Sequence, residues 1–444
     1  MKKIMSKKIS MAILLGALLC AFTFESFAQS SKKNQARAEA FYKSGLEAVL
    51  KNNNDKAIAD FSKAIQINPQ YADAYHNRGM LYFIKQDTDK AIADYSKAIQ
   101  INPKVAEVYN SRGMAYQAKK DYDRTIADLS KAIEISPQGA DVYLIRGTAY
   151  ADKKDYDRAI ADFSKVIEIN PKDATAYINR GLAYNDKKDY DRTIADLSKA
   201  IEISPQGADV YLIRGTAYNE KKDYDRAIAD FSKVIEINPK DADVYIARGL
   251  AYREKKDYDR TIANLSKAIE INPQDASIYL LRGEAYKAKK DYDRAMADYS
   301  KITEINPRDT AAYIARGAIY SLKLDYDRAI IDFSKAVEIN PQISGPYYNR
   351  GNAYSEKKDY DRAIADFSKV IEIEPQFAPS YFYRGNAFAA KKDYDRAIAD
   401  YSKAIELDPK IAPIYEQRGA AYRAMGKNDL AAADEKKAKE LGNK

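Results

Sequence analysis

Eleven prolines spaced 34 residues apart, from Pro69 to Pro409, limit what this chain can fold into more than any other feature. The string KKDYDR recurs in the same register, beginning at 119, 153, 187, 221, 255, 289, 357 and 391, with KLDYDR at 323. A fixed repeat of this length is typical of a solenoid, in which each unit packs on its neighbours. With the proline as position 32, twelve repeats fill residues 38–444, and they begin at 38, 72, 106, 140, 174, 208, 242, 276, 310, 344, 378 and 412.

Each repeat has the pattern of two amphipathic helices. Glycine holds position 8 in all twelve copies, and tyrosine holds position 4 in eleven and position 11 in ten. Residues three and four apart share one face of a helix, so these three positions form an apolar stripe. In the second half of the repeat, at 155–171, the apolar residues again fall at helical spacing. Glycine at position 8 has no Cβ, so we expect the two helices to approach closely there.

The string KKDYDR is predicted to be the turn between the two helices. Lys119 and Lys120 suit the negative end of the first helix, Asp121 stands where an N-cap is wanted, and Asp123 falls in the first turn of the second helix. Arginine at position 7 places a charge beside the core, so a partner carboxylate is expected. Aspartate at position 23, such as Asp128, is one candidate.

The N-terminus has the pattern of a secretory signal peptide. Four lysines, at 2, 3, 7 and 8, precede an apolar stretch from Met11 to Phe24, and Ser26 and Ala28 supply the small residues of a cleavage site. We expect cleavage between Ala28 and Gln29, a linker at 29–37 and the repeat array at 38–444. The apolar stretch is short for an uncleaved membrane anchor. The alternative of lipoprotein processing at Cys20 is disfavoured by the bulky Leu19 before it.

The inventory of reactive side chains argues against an enzyme. Cys20 is the only cysteine and His76 the only histidine, which we expect to be an exposed surface residue. The chain has no glycine-rich phosphate loop, and its carboxylate pairs, such as Asp121 and Asp123, recur in the turns as caps. We therefore expect no catalytic residue, no cofactor and no metal. Bases alternate with acids at a net charge of +8, so a nucleic-acid partner is not expected either.

The 34-residue unit resembles the tetratricopeptide repeat, in the form found in exported bacterial proteins. The resemblance covers residues 38–444 and implies an all-α, right-handed superhelical solenoid of twelve tandem helix-turn-helix repeats. Two departures recur, since tyrosine replaces tryptophan at position 4 and arginine replaces leucine at position 7. In the third repeat the family landmarks are Tyr109, Arg112, Gly113, Tyr116, Thr125, Leu129, Ala132 and Pro137.

The resemblance implies that positions 5, 9, 12 and 13 of the first helices line a concave surface. Position 5 is apolar over most of the array, which suits a protein or peptide partner, although packing against the neighbouring first helix would explain it as well. We call these residues the position-5 stripe, and they are Leu144, Ile178, Leu212, Ile246, Leu280, Ile314, Tyr348 and Phe382.

Two functions remain open at this point. One is a non-enzymatic protein-protein interaction scaffold of the bacterial cell envelope, periplasmic or secreted, without a membrane span after signal cleavage. The other is a structural or surface-exposed spacer, or host-interaction protein, without a specific peptide ligand. Residues 121–150 and 189–218 are identical over thirty letters, and this recent duplication favours the spacer because it implies tolerance of repeat number.

Overall fold

The computed structural model describes residues 32–442, which form 24 helices and no strand. The all-α prediction is therefore confirmed, as is the tandem helix-turn-helix arrangement. The predicted cleavage site between Ala28 and Gln29 lies outside the described residues. Within 32–442, every helix is too short or too polar to cross a membrane.

The first of two compact units ends at Lys221 and contains eleven helices among the residues described. Odd-numbered helices are the first helix of a repeat and even-numbered helices the second, and within this unit each packs on the next along the chain. They are α1 (32–50), α2 (Asn54–Ile67), α3 (Ala72–Ile84), α4 (Thr88–Ile101), α5 (Ala106–Ala118), α6 (Tyr122–Ile135), α7 (Ala140–Asp152), α8 (Tyr156–Ile169), α9 (Ala174–Asp186), α10 (Tyr190–Ile203) and α11 (Ala208–Glu220).

The second compact unit begins at Lys222 and is built in the same way. Its helices are α12 (Tyr224–Ile237), α13 (Ala242–Glu254), α14 (Tyr258–Ile271), α15 (Ala276–Ala288), α16 (Tyr292–Ile305), α17 (Thr310–Leu322), α18 (Tyr326–Ile339), α19 (Ser344–Glu356), α20 (Tyr360–Ile373), α21 (Ala378–Ala390), α22 (Tyr394–Leu407), α23 (Ala412–Ala424) and α24 (Asn428–Gly442).

The segment that the sequence analysis expects to be a linker is helical from residue 32. Residues 32–37, which the sequence analysis assigns to a linker, form the beginning of α1. This segment continues into Ala38 and Ala40 and consists mainly of alanine, lysine, arginine and glutamine, which favour helix. Ala38 is fully buried, so packing fixes the helix from its second turn.

The turn between the helices uses its charges in three ways. Asp121 caps α6 by accepting a hydrogen bond from the backbone N–H of Arg124, at 3.2 Å. Arg124 returns the contact, because its Nε donates to the Asp121 carboxylate at 2.6 Å. Asp123 forms an ion pair with Lys153, the first lysine of the following turn. Both the N-cap and the ion pair to the next repeat recur along the array, so the string KKDYDR is structural.

The second lysine of the turn adopts a left-handed backbone conformation. Lys120 has φ 57°, and its N–H donates to the Gln117 carbonyl while the N–H of Asp121 donates to the Tyr116 carbonyl. These two bonds form a Schellman motif, which normally has glycine at the left-handed residue. The last turn of the array has that glycine, Gly426, at φ 75°.

The arginine at position 7 of the first helix links its own repeat to the preceding one. It binds an aspartate on the second helix of its own repeat and a serine on the second helix of the repeat before. Arg112 donates from Nε and Nη2 to both oxygens of Asp128, at 2.7 and 2.8 Å. Its Nη1 donates to Ser96 of the preceding repeat at 2.9 Å. The same bidentate ion pair is present in repeats 2 to 5 and 8 to 12. Aspartate at position 23 is thus the partner that the sequence analysis named as a candidate.

Glycine at position 8 lies against a large buried side chain at position 24. A Cβ built on Gly147 would stand 2.7 Å from Cε1 of Phe163, which is 1% exposed. A real Cβ does not come so close, so only glycine leaves room for this ring. The close approach expected from the sequence is present, and it sets the distance between the two helices of a repeat.

Candidate partner-binding face

The first helices carry their exposed residues on one side, which we call the first-helix face. It consists of positions 2, 5, 6, 9, 12 and 13 of each repeat, which helical periodicity places on a single face. Positions 4, 8 and 11 lie on the opposite, core-facing side. Each compact unit has such a face of its own.

The position-5 stripe is half-buried in both units. In the first unit, Leu144 packs against two buried clusters, one around Val166 and one around Phe163, and Ile178 packs against the cluster around Leu197. Leu212 is half-buried as well. These side chains therefore contribute to packing between neighbouring helices, which is the alternative that the sequence left open. Their role in binding a partner stays a prediction.

In the second unit the same stripe also touches the core. Its five residues are half-buried, and four of them pack against buried clusters formed by their own and neighbouring helices. A substitution to a charge here would disturb folding as well as any binding. The residues in question are Ile246, Leu280, Tyr348 and Phe382, with Ile314 half-buried beside them.

Aromatic rings surround the end of this stripe. The ring of Tyr348 lies 5.5 Å from Phe377 and 5.7 Å from Tyr383, and Phe382 lies 5.2 Å from Tyr383, all edge-to-face. Burial raises the pKa of Tyr348 to about 12. Mutual ring contacts of this kind stabilise packing, so Tyr348 and Phe382 act first as structural residues.

Six exposed apolar residues of the face lie elsewhere, in the first three repeats. They occupy positions 9, 12 and 13, and we call them the N-terminal apolar patch. A comparison of these positions between repeats would have found them, because later repeats mostly have polar or small residues there. The patch consists of Leu46 (38% exposed), Val49 (36%), Leu50 (85%), Met80 (40%), Ile84 (63%) and Met114 (40%).

A small apolar pocket opens within this patch, between α3 and α5. Its volume is about 130 Å³, and the side chains of Met80, Phe83, Ile84 and Met114 form most of its wall. Tyr95 and Ser111 complete the lining. Water occupies about 30 Å³ per molecule in the liquid, so the pocket has room for one aliphatic side chain.

The corresponding positions of the second unit form a larger and more polar depression. It measures about 380 Å³ and lies between α17, α18 and α19. Its lining combines Leu322, which is 61% exposed, and Phe333 with Asn349, Asn352 and Glu356. Two repeats in different units therefore leave a recess at the same place, between positions 9 to 13 of one first helix and positions 6 and 9 of the next.

His76 is not the exposed residue that the sequence analysis expects. It is 8% exposed, its Nε2 lies 3.0 Å from the hydroxyl of Ser111, and its ring contacts that of Tyr95. Burial lowers the pKa of His76, while the carboxylates of Glu107 and Asp73 act in the opposite direction. The correction has a simple reason, because position 5 packs against the neighbouring first helix.

Comparison with protein families gives matches along the array. One model described as "Tetratricopeptide repeat" matches residues 72–105, 106–138, 174–206 and 346–377. A second model with the same description matches residues 276–309 and 310–343. A model described as "TPR repeat" matches 45–83, 147–188, 215–255, 249–290 and 385–426. Among curated proteins, none matches the chain.

Several solved structures are similar, over nearly their whole length, to part of this chain. MamA is 26% identical, with 36% of this chain and 94% of that chain covered and a TM-score of 0.36. YrrB, described as "a TPR protein with an unusual peptide-binding site", is 25% identical, with 41% and 95% covered and a TM-score of 0.37. A tetratricopeptide repeat protein from Parabacteroides merdae is 20% identical, with 56% and 98% covered and a TM-score of 0.40.

Proposed function

Because the chain belongs to the tetratricopeptide repeat family, whose members are generally non-catalytic scaffolds, we propose that it is a protein-protein interaction scaffold of the bacterial cell envelope. It holds a segment of its partner on the first-helix face. The observation that carries this proposal is the N-terminal apolar patch, where Leu50 and Ile84 are 85% and 63% exposed around an open apolar pocket. Adjoining apolar side chains exposed on one face are typical of an interaction site.

The exposed side chains of the first-helix face lie above position 5. Side chains at position 5 are half-buried or buried between neighbouring first helices in most repeats, while position 13 is exposed in every repeat and position 9 in the first three. A partner segment would therefore contact the side chains at positions 9 and 13 before those at position 5.

A photo-crosslinking residue placed at Ile84 tests the interaction in living cells. The matched control is Ile331, which is 66% exposed and lies on the second helix α18, away from the first-helix face. We expect one discrete crosslinked partner from Ile84 and none from Ile331. Equal crosslinking at both sites, or none at Ile84, would contradict a binding site on this face.

The same experiment distinguishes the scaffold from the alternative function, a spacer or host-interaction protein without a specific peptide ligand. That alternative is favoured by the thirty-letter identity between 121–150 and 189–218. A spacer would give no discrete product at Ile84, while its function would depend on the number of repeats. Removal of residues 140–207, two whole repeats, would then change function in proportion to length.

Export is the second part of the proposal, and it rests on the lysines, the apolar stretch and the small residues before Gln29. N-terminal sequencing of the protein recovered outside the cytoplasm should give a chain beginning at Gln29. A lipid-modified chain beginning at Cys20 would instead mean membrane anchoring, and an intact leader would exclude cleavage.

A further inference from the structure

The first-helix face of the first unit combines apolar and acidic side chains and has few bases. In repeats 2 to 6 none of its six positions holds lysine or arginine, although the whole chain has a net charge of +8. Seven exposed carboxylates lie on this part of the face, at positions 2 and 13. They are Asp73, Glu107, Asp141 and Asp209 at position 2, and Asp152, Asp186 and Glu220 at position 13.

These carboxylates are available to a partner. Asp152 accepts a hydrogen bond from Gln117 at 3.1 Å, and burial together with the nearby charge of Asp186 raises the pKa of Tyr156. Within the part of the chain that the structure describes, no lysine or arginine forms an ion pair with any of the seven. The first lysine of each turn, which is near in sequence, is held elsewhere, as Lys153 is by Asp123 of the preceding repeat.

Position 13 changes from apolar to acidic along the first unit. Its residues are Leu50 and Ile84 in the first two repeats, then Ala118, and then Asp152, Asp186 and Glu220. The N-terminal apolar patch therefore continues into an acidic row on the same face. One segment of a partner could contact both at once.

Two buried oxygen atoms on α5 also lack a hydrogen-bond donor. Among the described residues, none donates to Oδ1 of Asn110 or to Oε1 of Gln117, although both atoms are shielded from solvent. They belong to positions 5 and 12, so both lie on this face, between the apolar patch and the acidic row. A buried acceptor without a donor is unfavourable, and an N–H group of a bound segment would satisfy it once the side chain turns outward.

We propose that the first unit binds a basic, apolar segment of a partner protein, one in which leucine-like side chains alternate with lysine or arginine. The apolar side chains enter the pocket formed by Met80, Ile84 and Met114, and the cations lie along the acidic row. This rests on the proposed function and gives its partner a chemistry. The second unit is less suited to such a segment, because its face has bases of its own, such as Arg253 and Lys287, paired with Glu254 and Glu284.

Fluorescence anisotropy with labelled 14-residue peptides tests the proposal on the purified protein. The probe contains only leucine and lysine, in the spacing of an amphipathic helix. Two control peptides replace either every lysine with glutamate or every leucine with serine. We expect the leucine-lysine peptide to bind at least tenfold more tightly than either control, and to weaken at least fivefold when salt is raised from 0.05 to 0.5 M, because salt screens exposed charges. Equal binding of the glutamate peptide would overturn the charge assignment, and equal binding of the serine peptide would overturn the apolar one.

Variants locate the site. The triple variant Asp152→Asn, Asp186→Asn, Glu220→Gln should weaken binding of the leucine-lysine peptide about tenfold, since each exposed ion pair contributes modestly. Ile84→Ser should also weaken binding of the leucine-lysine peptide, and it should do so at every salt concentration. The matched control removes three exposed carboxylates from the second unit, Asp243→Asn, Glu356→Gln and Glu416→Gln, and should leave binding unchanged.

An equal loss in both triple variants would overturn the proposal, because it would show a response to total charge only. Melting curves of both triple variants should match the parent, since the substituted side chains are exposed and nearly isosteric, and Ile84→Ser should change the melt little because Ile84 is 63% exposed. If Ile84 crosslinks a partner in cells while the leucine-lysine peptide fails to bind, the scaffold function stands and the basic partner is refuted.

Discussion

Repeat 7 differs from its neighbours at the residue that pairs with the position-7 arginine. Helices α10 and α14 are identical over fourteen residues except that Asp196 in α10 is replaced by Asn264 in α14. Arg180 donates two hydrogen bonds to Asp196, at 2.8 and 2.7 Å. Arg248 donates only one to Asn264, at 2.8 Å, and faces an amide instead of a carboxylate. We therefore expect Asn264→Asp to stabilise repeat 7.

The size of this effect follows from three contributions. A hydrogen bond to a charged partner contributes about 1.5–3 kcal/mol to stability, against about 1 kcal/mol for a neutral one. Two costs oppose the gain. Asn264 loses the bond from its Nδ2 to the carbonyl of Arg260, at 2.8 Å, and a carboxylate at a site that is 6% exposed must be desolvated. Desolvation is large enough at this position to raise the pKa of Asp298 despite its arginine partner. The net stabilisation should be about 1 kcal/mol.

Native-state hydrogen exchange measures this locally, which suits an array whose repeats open independently. Amides of α13, α14 and α15 should exchange about fivefold more slowly in Asn264→Asp, while those of repeats 2 to 4 stay unchanged. The reciprocal variant, Asp196→Asn, should speed exchange in α9 to α11. If Asn264→Asp has no effect and Asp196→Asn has none either, desolvation balances the ion pair, and the stabilising role assigned to this pair is wrong.

Three further predictions concern single residues. Burial holds the pKa of His76 below its ordinary value of 6.5, so the unfolded chain binds the proton more readily than the folded chain. The stability that neutral His76 gives to repeats 2 and 3 is therefore present above pH 6.5 and is lost as pH falls through the lower folded pKa. Hydrogen exchange at pH 7.5 and 5 should show this loss, and His76→Asn should abolish the pH dependence. Gly147→Ala should destabilise by about 1–3 kcal/mol through overpacking against Phe163, whereas Gly345→Ala, with nothing within 4 Å, should be neutral or stabilising, as urea midpoints will report. Lys154→Gly should stabilise by about 1 kcal/mol because its φ of 61° suits glycine, and a lower urea midpoint would contradict this.

The fold could be read from the sequence because every repeat obeys the same local rules. Spacing of tyrosine, glycine and alanine predicts the two helices, and aspartate at the turn predicts the cap that Asp121 forms. The carboxylate partner of the arginine could be named only as a candidate, since several acids lie at plausible separations. The exposure of side chains on the first helices was harder still to predict. It depends on how far each neighbouring helix extends, and so the exposed side of Ile84 and the burial of His76 appear only in the packed structure.

The left-handed conformation of the second lysine in the turn was not predicted from the sequence. Sequence reasoning assigned glycine a role at position 8, where a ring packs, and assigned lysine a role as a charge at the helix end. The structure shows that Lys120 occupies the conformation that glycine would adopt more easily. Backbone strain of this kind leaves no trace in hydrophobic periodicity, so a single sequence does not reveal it.

The contacts between repeats have a consequence for how such a gene can change. Arg112 reaches Ser96 of the preceding repeat, and Lys153 reaches Asp123 in the same way, so each bond joins fixed positions of adjacent copies. Unequal recombination that adds or removes a whole copy therefore creates a junction with every such bond intact. The segments 121–150 and 189–218 are identical and lie two repeats apart, so recombination between them would add or remove two copies at once. Such a change in copy number costs the chain no interaction between neighbouring repeats.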